Sequence, residues 1–223
     1  MEINMAKIIV SASSLPAGRN MSSQLEYITR VQNYGADMYH IDVMDGKFVS
    51  SETIDYNYLE QLRENSVLLF DVHLMVQSPS ASLIKKYIKY GANIVSLHYE
   101  AYNDKEVLKK RLELIKKSDC MAGLAIDVGT KVEEILPYIN LVDMVVILAV
   151  KVGRGGQKFN DSAIKKVKEI RKLNKNILIE VDGGINALTS PQCVKAGADV
   201  LAVGSFIYDN DTYEAIQCLK GKS

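Results

Sequence analysis

Short apolar runs alternate with longer amphipathic stretches along the whole chain, and eight of the runs are rich enough in Val, Ile and Leu to be strands buried on both faces. These predicted strands are Lys7–Ser13, Asp37–Val43, Val67–Met75, Ile94–His98, Cys120–Asp127, Met144–Val150, Ile177–Val181 and Val200–Val203. Between them the apolar spacing predicts helices such as Ser22–Asn33, Ser80–Tyr90, Lys105–Ser118, Asp161–Leu173 and Asp211–Leu219, most of them introduced by Ser, Asp or Asn at a cap position. Three segments end alike, in Tyr34-Gly35-Ala36-Asp37, Tyr90-Gly91-Ala92-Asn93 and Ala196-Gly197-Ala198-Asp199, each with a Gly where a helix stops before a strand. Repeated βα units of this kind predict an α/β fold, a (β/α)8 TIM barrel, with an open doubly wound sheet as the alternative.

Composition narrows the class. At 223 residues the chain has the length of one such barrel, so a single domain over 1–223 is expected, and 48% apolar residues are ample to fill it. The 27 basic residues balance 27 acidic ones, which argues against nucleic acid or a membrane surface and for a small-molecule partner. No apolar run approaches the roughly 18 residues of a membrane span, and Met1–Val10 lacks the layout of a secretory leader, so a cytoplasmic protein is expected. Cys120, Cys193 and Cys218 are odd in number and far apart, which predicts free thiols.

Barrels of this kind place their chemistry at the carboxyl ends of the strands, and the polar residues there are few. His40-Ile41-Asp42 puts two polar side chains on one strand face, because residues two apart point the same way, and Met44-Asp45-Gly46 opens the loop beyond. Asp71-Val72-His73 repeats the two-residue step, and Glu180-Val181-Asp182 ends the seventh strand before Gly183-Gly184. His40, Asp42, His73 and Asp182 thus make a ligand set suited to one divalent metal ion, Zn, Fe(II), Mn or Co, with polar packing as the plainer alternative. Asp71 lies about 6–7 Å deeper than His73 and is read as orienting a ligand or tying the barrel floor. His98 stands alone and reads as a core histidine, with a role at the substrate rim as the alternative.

A second signal is anion binding. Gly153-Arg154-Gly155-Gly156-Gln157, Gly183-Gly184 and Gly204-Ser205 follow the sixth, seventh and eighth strands, so three glycine-bearing turns offer backbone N–H groups to a phosphate, unless they are ordinary tight turns.

In this setting the chain resembles the ribulose-phosphate 3-epimerase family over nearly its whole length. The resemblance rests on Ser11-Ala12-Ser13-Ser14-Leu15, His40 to Gly46, Asp71 to Met75, Gly153 to Phe159, Val181 to Gly184 and Val203-Gly204-Ser205, in order on six strands. It implies a metal held by His40, Asp42, His73 and Asp182, with Asp42 and Asp182 as the two acid/base groups on opposite faces of the substrate. It implies further that Ser13 hydrogen-bonds the sugar, that Met44 and Met75 pack on the reacting carbons, and that the phosphate lies against Gly153 to Gly156, Gly183-Gly184 and Gly204-Ser205. The implied partner is a sugar phosphate of the pentose phosphate pathway and the implied assembly a homo-oligomer. The chemistry agrees: a proton next to a ketone leaves at neutral pH only if the enediolate is stabilised by a Lewis acid, and inverting C3 needs one carboxylate on each face.

Departures from the family pattern fall in the substrate region. The usual Met-Ser-Val-Asn-Pro-Gly-Phe-Gly-Gly-Gln is here Leu148-Ala149-Val150-Lys151-Val152-Gly153-Arg154-Gly155-Gly156-Gln157, and the usual Pro-Asn after Val49 is Ser50-Ser51; Ala12 replaces a Pro. Lys151 and Arg154 suggest a substrate with different or additional anionic character, unless both simply face solvent or the phosphate. Besides ribulose 5-phosphate, the sequence leaves open allulose 6-phosphate as substrate, a non-catalytic sugar-phosphate sensor, and an aldolase forming a Schiff base at Lys151. A related barrel decarboxylase fits poorly, since Val43-Met44-Asp45 after Asp42 contains no lysine.

Overall fold

The eight apolar runs become strands in a computed structural model that describes residues 7–53 and 56–222. They are β1 (Ile9–Ser13), β2 (Met38–Met44), β3 (Leu69–Met75), β4 (Ile94–His98), β5 (Met121–Ile126), β6 (Met144–Leu148), β7 (Leu178–Asp182) and β8 (Val200–Val203). Each pairs in parallel with its sequence neighbours and β8 pairs with β1, so the sheet closes and the open-sheet alternative falls. Residues 1–6, the start of the stretch read for a leader, lie outside the described residues. No helix among those described is long and apolar enough to cross a membrane.

Around the barrel run α1 (Met21–Asn33), α2 (Asn57–Glu64), α3 (Ala81–Lys89), α4 (Lys105–Lys116), α5 (Val132–Ile135), α6 (Ser162–Leu173), α7 (Ser190–Ala196), α8 (Ser205–Tyr208) and α9 (Thr212–Leu219). Side chains of Asn20, Ser80, Asp104 and Asp211 accept backbone N–H bonds at the starts of α1, α3, α4 and α9, each contributing about 1 kcal/mol. Ser80 and Asp211 therefore sit just outside the helices that the sequence counted them into. Gly35, Gly91 and Gly197 have φ of 90°, 105° and 112°, the left-handed conformation their helix ends require. The three cysteines are free, and burial pushes the Cys120 and Cys193 thiols up to about 12.

Alternation along β2 shows how the barrel separates its two cores. Tyr39, Ile41 and Val43 join the apolar layer beneath the helices, while Met38 joins Ile9, Ile94, Met144, Leu178 and Val200 inside the barrel. Register then stacks the interior: Met38 is level with Leu69, His40 with Asp71, Asp42 with His73, and Met44 with Met75. An apolar floor thus gives way to a polar layer, capped at the mouth by an apolar patch of Met44, Val49 and Met75.

At one place the wall has no room for a side chain. Gly123 on β5 is level with Ser96 on β4, and a Cβ there would fall 2.0 Å from the Ser96 Oγ and 3.0 Å from its Cα. Gly123→Ala is expected to lower stability by about 1–3 kcal/mol through overpacking. A urea midpoint that falls with an unchanged slope would show this, and an unchanged midpoint would mean that the wall yields freely there.

Candidate metal and substrate site

A cavity of about 320 Å³ opens at the carboxyl ends of the strands. Ser13, Asp42, Met44, Met75 and Asp182 line it, together with Gly153, Arg154, Gly155, Gly156, Gly183, Gly184, Gly204 and Ser205, so the structure gathers every candidate for substrate contact around one space. His40 and His73 lie just beneath, with no exposed surface.

The four candidate ligands converge there. Asp42 Oδ1 lies 3.4 Å from His40 Nε2 and 3.4 Å from His73 Nδ1, and Asp182 Oδ2 lies 4.0 Å and 3.7 Å from the same two nitrogens. One ligand atom from each residue falls within 4.8 Å of the others. His40 Nε2 and His73 Nδ1 are buried without a hydrogen-bond partner. A buried polar atom left unpaired is destabilising by about 1–3 kcal/mol, so two imidazole nitrogens facing two carboxylates fit a divalent cation, which would satisfy all four at once.

The remaining atoms of these side chains are held in place. Ser13 donates to Asp42 Oδ2 at 2.9 Å, leaving Oδ1 toward the imidazoles. His40 Nδ1 lies 2.7 Å from Asp71 Oδ2, which also accepts from Ser11 at 3.2 Å. Glu180 Oε1 is 3.2 Å from the same nitrogen. His40, Asp71 and Glu180 form a second cluster of metal-ligand type, but all three are fully buried and none lines the cavity. His40 also uses its Nδ1 on Asp71 there, so the cluster is best described as the support beneath the first.

Charges in this layer pull strongly on protons. Burial opposes a charged His40, yet Asp71, Asp42 and Glu180 around it raise its pKa well above the usual imidazole value. Burial also opposes the Asp42 carboxylate, and the facing His40 and His73 outweigh it, holding the group well below the usual carboxylate range. For Asp182 burial prevails, assisted by Asp42, and its pKa rises to about 6. Glu180 is driven well above the usual carboxylate range by burial and then by Asp71, with His40 pulling the other way.

On the other side of His73 the core reading of His98 holds, but sequence reasoning missed the chain of contacts it makes with His73 and Glu100. His98 is fully buried rather than at the rim; its Nε2 lies 2.8 Å from His73 Nε2 and its Nδ1 3.0 Å from Glu100 Oε2. The two imidazoles meet edge to edge, 4.9 Å between centroids and 24° between planes, the nearly coplanar arrangement of an N–H···N bond. Burial disfavours a charged Glu100, but its hydrogen bonds from His98 and Thr130 prevail and hold its pKa at about 2. The available signal was a two-residue step, His98 to Glu100, like that of His40 and Asp42. Glu180 carried the same signal, two residues before Asp182.

The glycine turns have a steric basis. At Gly183, φ is 101° and a Cβ would lie 2.3 Å from Val150 Cγ2; at Gly184 it would lie 2.9 Å from the Phe159 backbone. Lys151 and Arg154 are exposed on the rim, and among the described residues neither forms an ion pair. Gln157 Nε2 donates to both of their carbonyls at 2.7 Å, closing the turn between them.

The model of the family described as "Ribulose-phosphate 3 epimerase family" matches residues 9–208. The chain belongs to the ribulose-phosphate 3-epimerase family. It is thereby an isomerase, an epimerase acting on carbohydrates. Within the family it is 37% identical to the ribulose-phosphate 3-epimerase of Bacillus subtilis, across 98% of this chain and 99% of that one. It is also 37% identical to the chloroplastic ribulose-5-phosphate-3-epimerase of Arabidopsis thaliana, covering 96% of this chain and 76% of the relative. The solved structure of 3-keto-L-gulonate-6-phosphate decarboxylase from Vibrio cholerae overlays with a TM-score of 0.77 over 97% of both chains at 12% identity, a likeness of fold alone.

Proposed function

We propose that this member of the ribulose-phosphate 3-epimerase family is a metal-dependent ketose-phosphate 3-epimerase that interconverts ribulose 5-phosphate and xylulose 5-phosphate. The observation that carries the reading is the pair of unpartnered imidazole nitrogens facing two carboxylates at the floor of the cavity. His40, Asp42, His73 and Asp182 would hold one divalent ion of the Zn, Fe(II), Mn or Co group. A bound ion supplies Lewis acidity, so that negative charge can develop beside the carbonyl at neutral pH.

The chain's own groups handle the protons. Asp42 and Asp182 come from β2 and β7, which β8 and β1 separate, so two carboxylates reach the cavity from different parts of the barrel wall. One takes the C3 proton and the other, as an acid, returns a proton to the opposite face. Ser13 steadies Asp42 and would hydrogen-bond the sugar. Met44, Met75 and Val49 supply an apolar wall that keeps water from the reacting carbons. Phosphate oxygens would be held by backbone N–H groups of the turns at Gly153 to Gly156, Gly183-Gly184 and Gly204-Ser205.

Lys151 and Arg154 on the rim favour a second reading, in which another ketose phosphate such as allulose 6-phosphate is preferred. A Schiff base at Lys151 is disfavoured, because that side chain is exposed rather than enclosed. Incubation with each sugar phosphate in D2O, with Zn, Mn, Fe(II) or Co added and again after chelation, tests the proposal. Deuterium should enter at C3 in the presence of metal and cease on chelation; no exchange with any of these ions would overturn it, and the faster substrate decides between the two readings.

A further inference from the structure

We propose that Glu100 is a positioning residue that fixes, through His98, which nitrogen of His73 carries a proton. The inference rests on the metal reading above only for its consequence, since ring tautomers exist in the ion-free protein as well. It begins at the outer end of the chain of groups. Glu100 Oε1 accepts the Asp127 backbone N–H at 2.8 Å and the Thr130 hydroxyl, and Glu100 Oε2 faces His98 Nδ1 at 3.0 Å. A carboxylate can only accept, so His98 must donate from Nδ1. In a neutral His98 ring Nε2 then carries the lone pair, and since it lies 2.8 Å from His73 Nε2, the proton between the rings belongs to His73. Two N–H groups cannot meet head-on at that distance. His73 Nδ1 is left bare, and it is the unpartnered atom that faces Asp42 and Asp182.

At His40 the carboxylate is adjacent, with Asp71 directly against Nδ1, so this ring would turn a lone pair on Nε2 to the cluster once a cation displaces the proton its carboxylate neighbours favour.

Glu100→Gln keeps the shape of the side chain and inverts this order. The Asp127 N–H is fixed in the backbone and demands an acceptor, so the amide oxygen takes the Oε1 place and the NH2 faces His98 Nδ1. His98 must then accept there and donate from Nε2. His73 would accept at Nε2 and carry its proton on Nδ1, pointing into the metal cluster.

The chain has only 3 histidines, so two-bond 1H–15N correlation on chelated, 15N-histidine-labelled full-length protein resolves each ring. Wild type should show His73 protonated on Nε2 and His98 on Nδ1, with both reversed in Glu100→Gln. Zinc affinity by calorimetry should fall by about 10–100-fold in the variant. His73 protonated on Nδ1 in wild type overturns the proposal without any variant. Unchanged tautomers together with unchanged zinc affinity in a folded Glu100→Gln protein overturn it as well. Wild-type tautomers as expected with no zinc bound would remove the metal reading instead and leave the tautomer chain standing.

Discussion

Asp42→Asn and Asp182→Asn are each expected to cut deuterium incorporation at C3 of ribulose 5-phosphate by roughly 10²- to 10⁴-fold, the range over which a positioned acid or base acts. Asparagine preserves the size of either side chain and, at position 42, an oxygen that can still accept from Ser13. What disappears is the oxygen that takes or returns a proton, along with one negative charge in the cluster. Metal bound per chain should be measured on the same samples, so that loss of an ion is separated from loss of the proton carrier. Exchange near the wild-type rate in either variant would remove that residue from its assigned role.

The second large effect concerns the two imidazoles, which are equivalent as candidate ligands but not in what lies behind them. Structural zinc sites bind with about 10–16 kcal/mol over four ligands, so removal of one should weaken zinc binding by roughly 100-fold or more. His73→Leu and His40→Leu should share that loss. His73→Leu leaves the buried His98 Nε2 without its partner, a loss of about 1–3 kcal/mol, whereas His40→Leu leaves the fully buried Asp71 carboxylate with only its bond from Ser11 and is expected to lower stability by about 3–5 kcal/mol in the chelated protein. Burial works against the Asp71 carboxylate, and His40 is the largest influence that holds its pKa below the usual value. That contribution is present above the unfolded pKa of about 4 and fades as pH falls through the folded one, so the extra loss should be large at neutral pH and shrink in acid. Denaturant unfolding of the two chelated variants at neutral and acid pH checks this; equal stabilities would show that His40 does not support Asp71.

Much of the barrel was legible because strands buried on both faces read as unbroken Val, Ile and Leu. The strands Ile94–His98 and Val200–Val203 fall where the apolar runs place them, whereas Lys7 and Val67 precede strands that begin at Ile9 and Leu69. Apolar residues continue past the last ladder bond, so composition alone overruns the ends. Helix α5 has 4 residues and α7 has 7, which is too short for a 3.6-residue period to show.

In the candidate site, His40, Asp42, His73 and Asp182 stood out through two-residue steps at strand ends. Glu180, His98 and Glu100 did not, although they use the same step, because what ties them to the site is the contact of Glu180 with His40 and of His98 with His73, and only barrel register reveals those contacts. The rim position of Lys151 and Arg154 was visible as a departure from the family pattern, but their freedom from ion pairs among the described residues was not.

An anomalous difference map from a crystal grown with manganese or zinc tests the metal assignment most directly. One peak is expected, bounded by His40 Nε2, His73 Nδ1, Asp42 Oδ1 and Asp182 Oδ2. A map with no peak there, or with its peak among His40, Asp71 and Glu180, would contradict it.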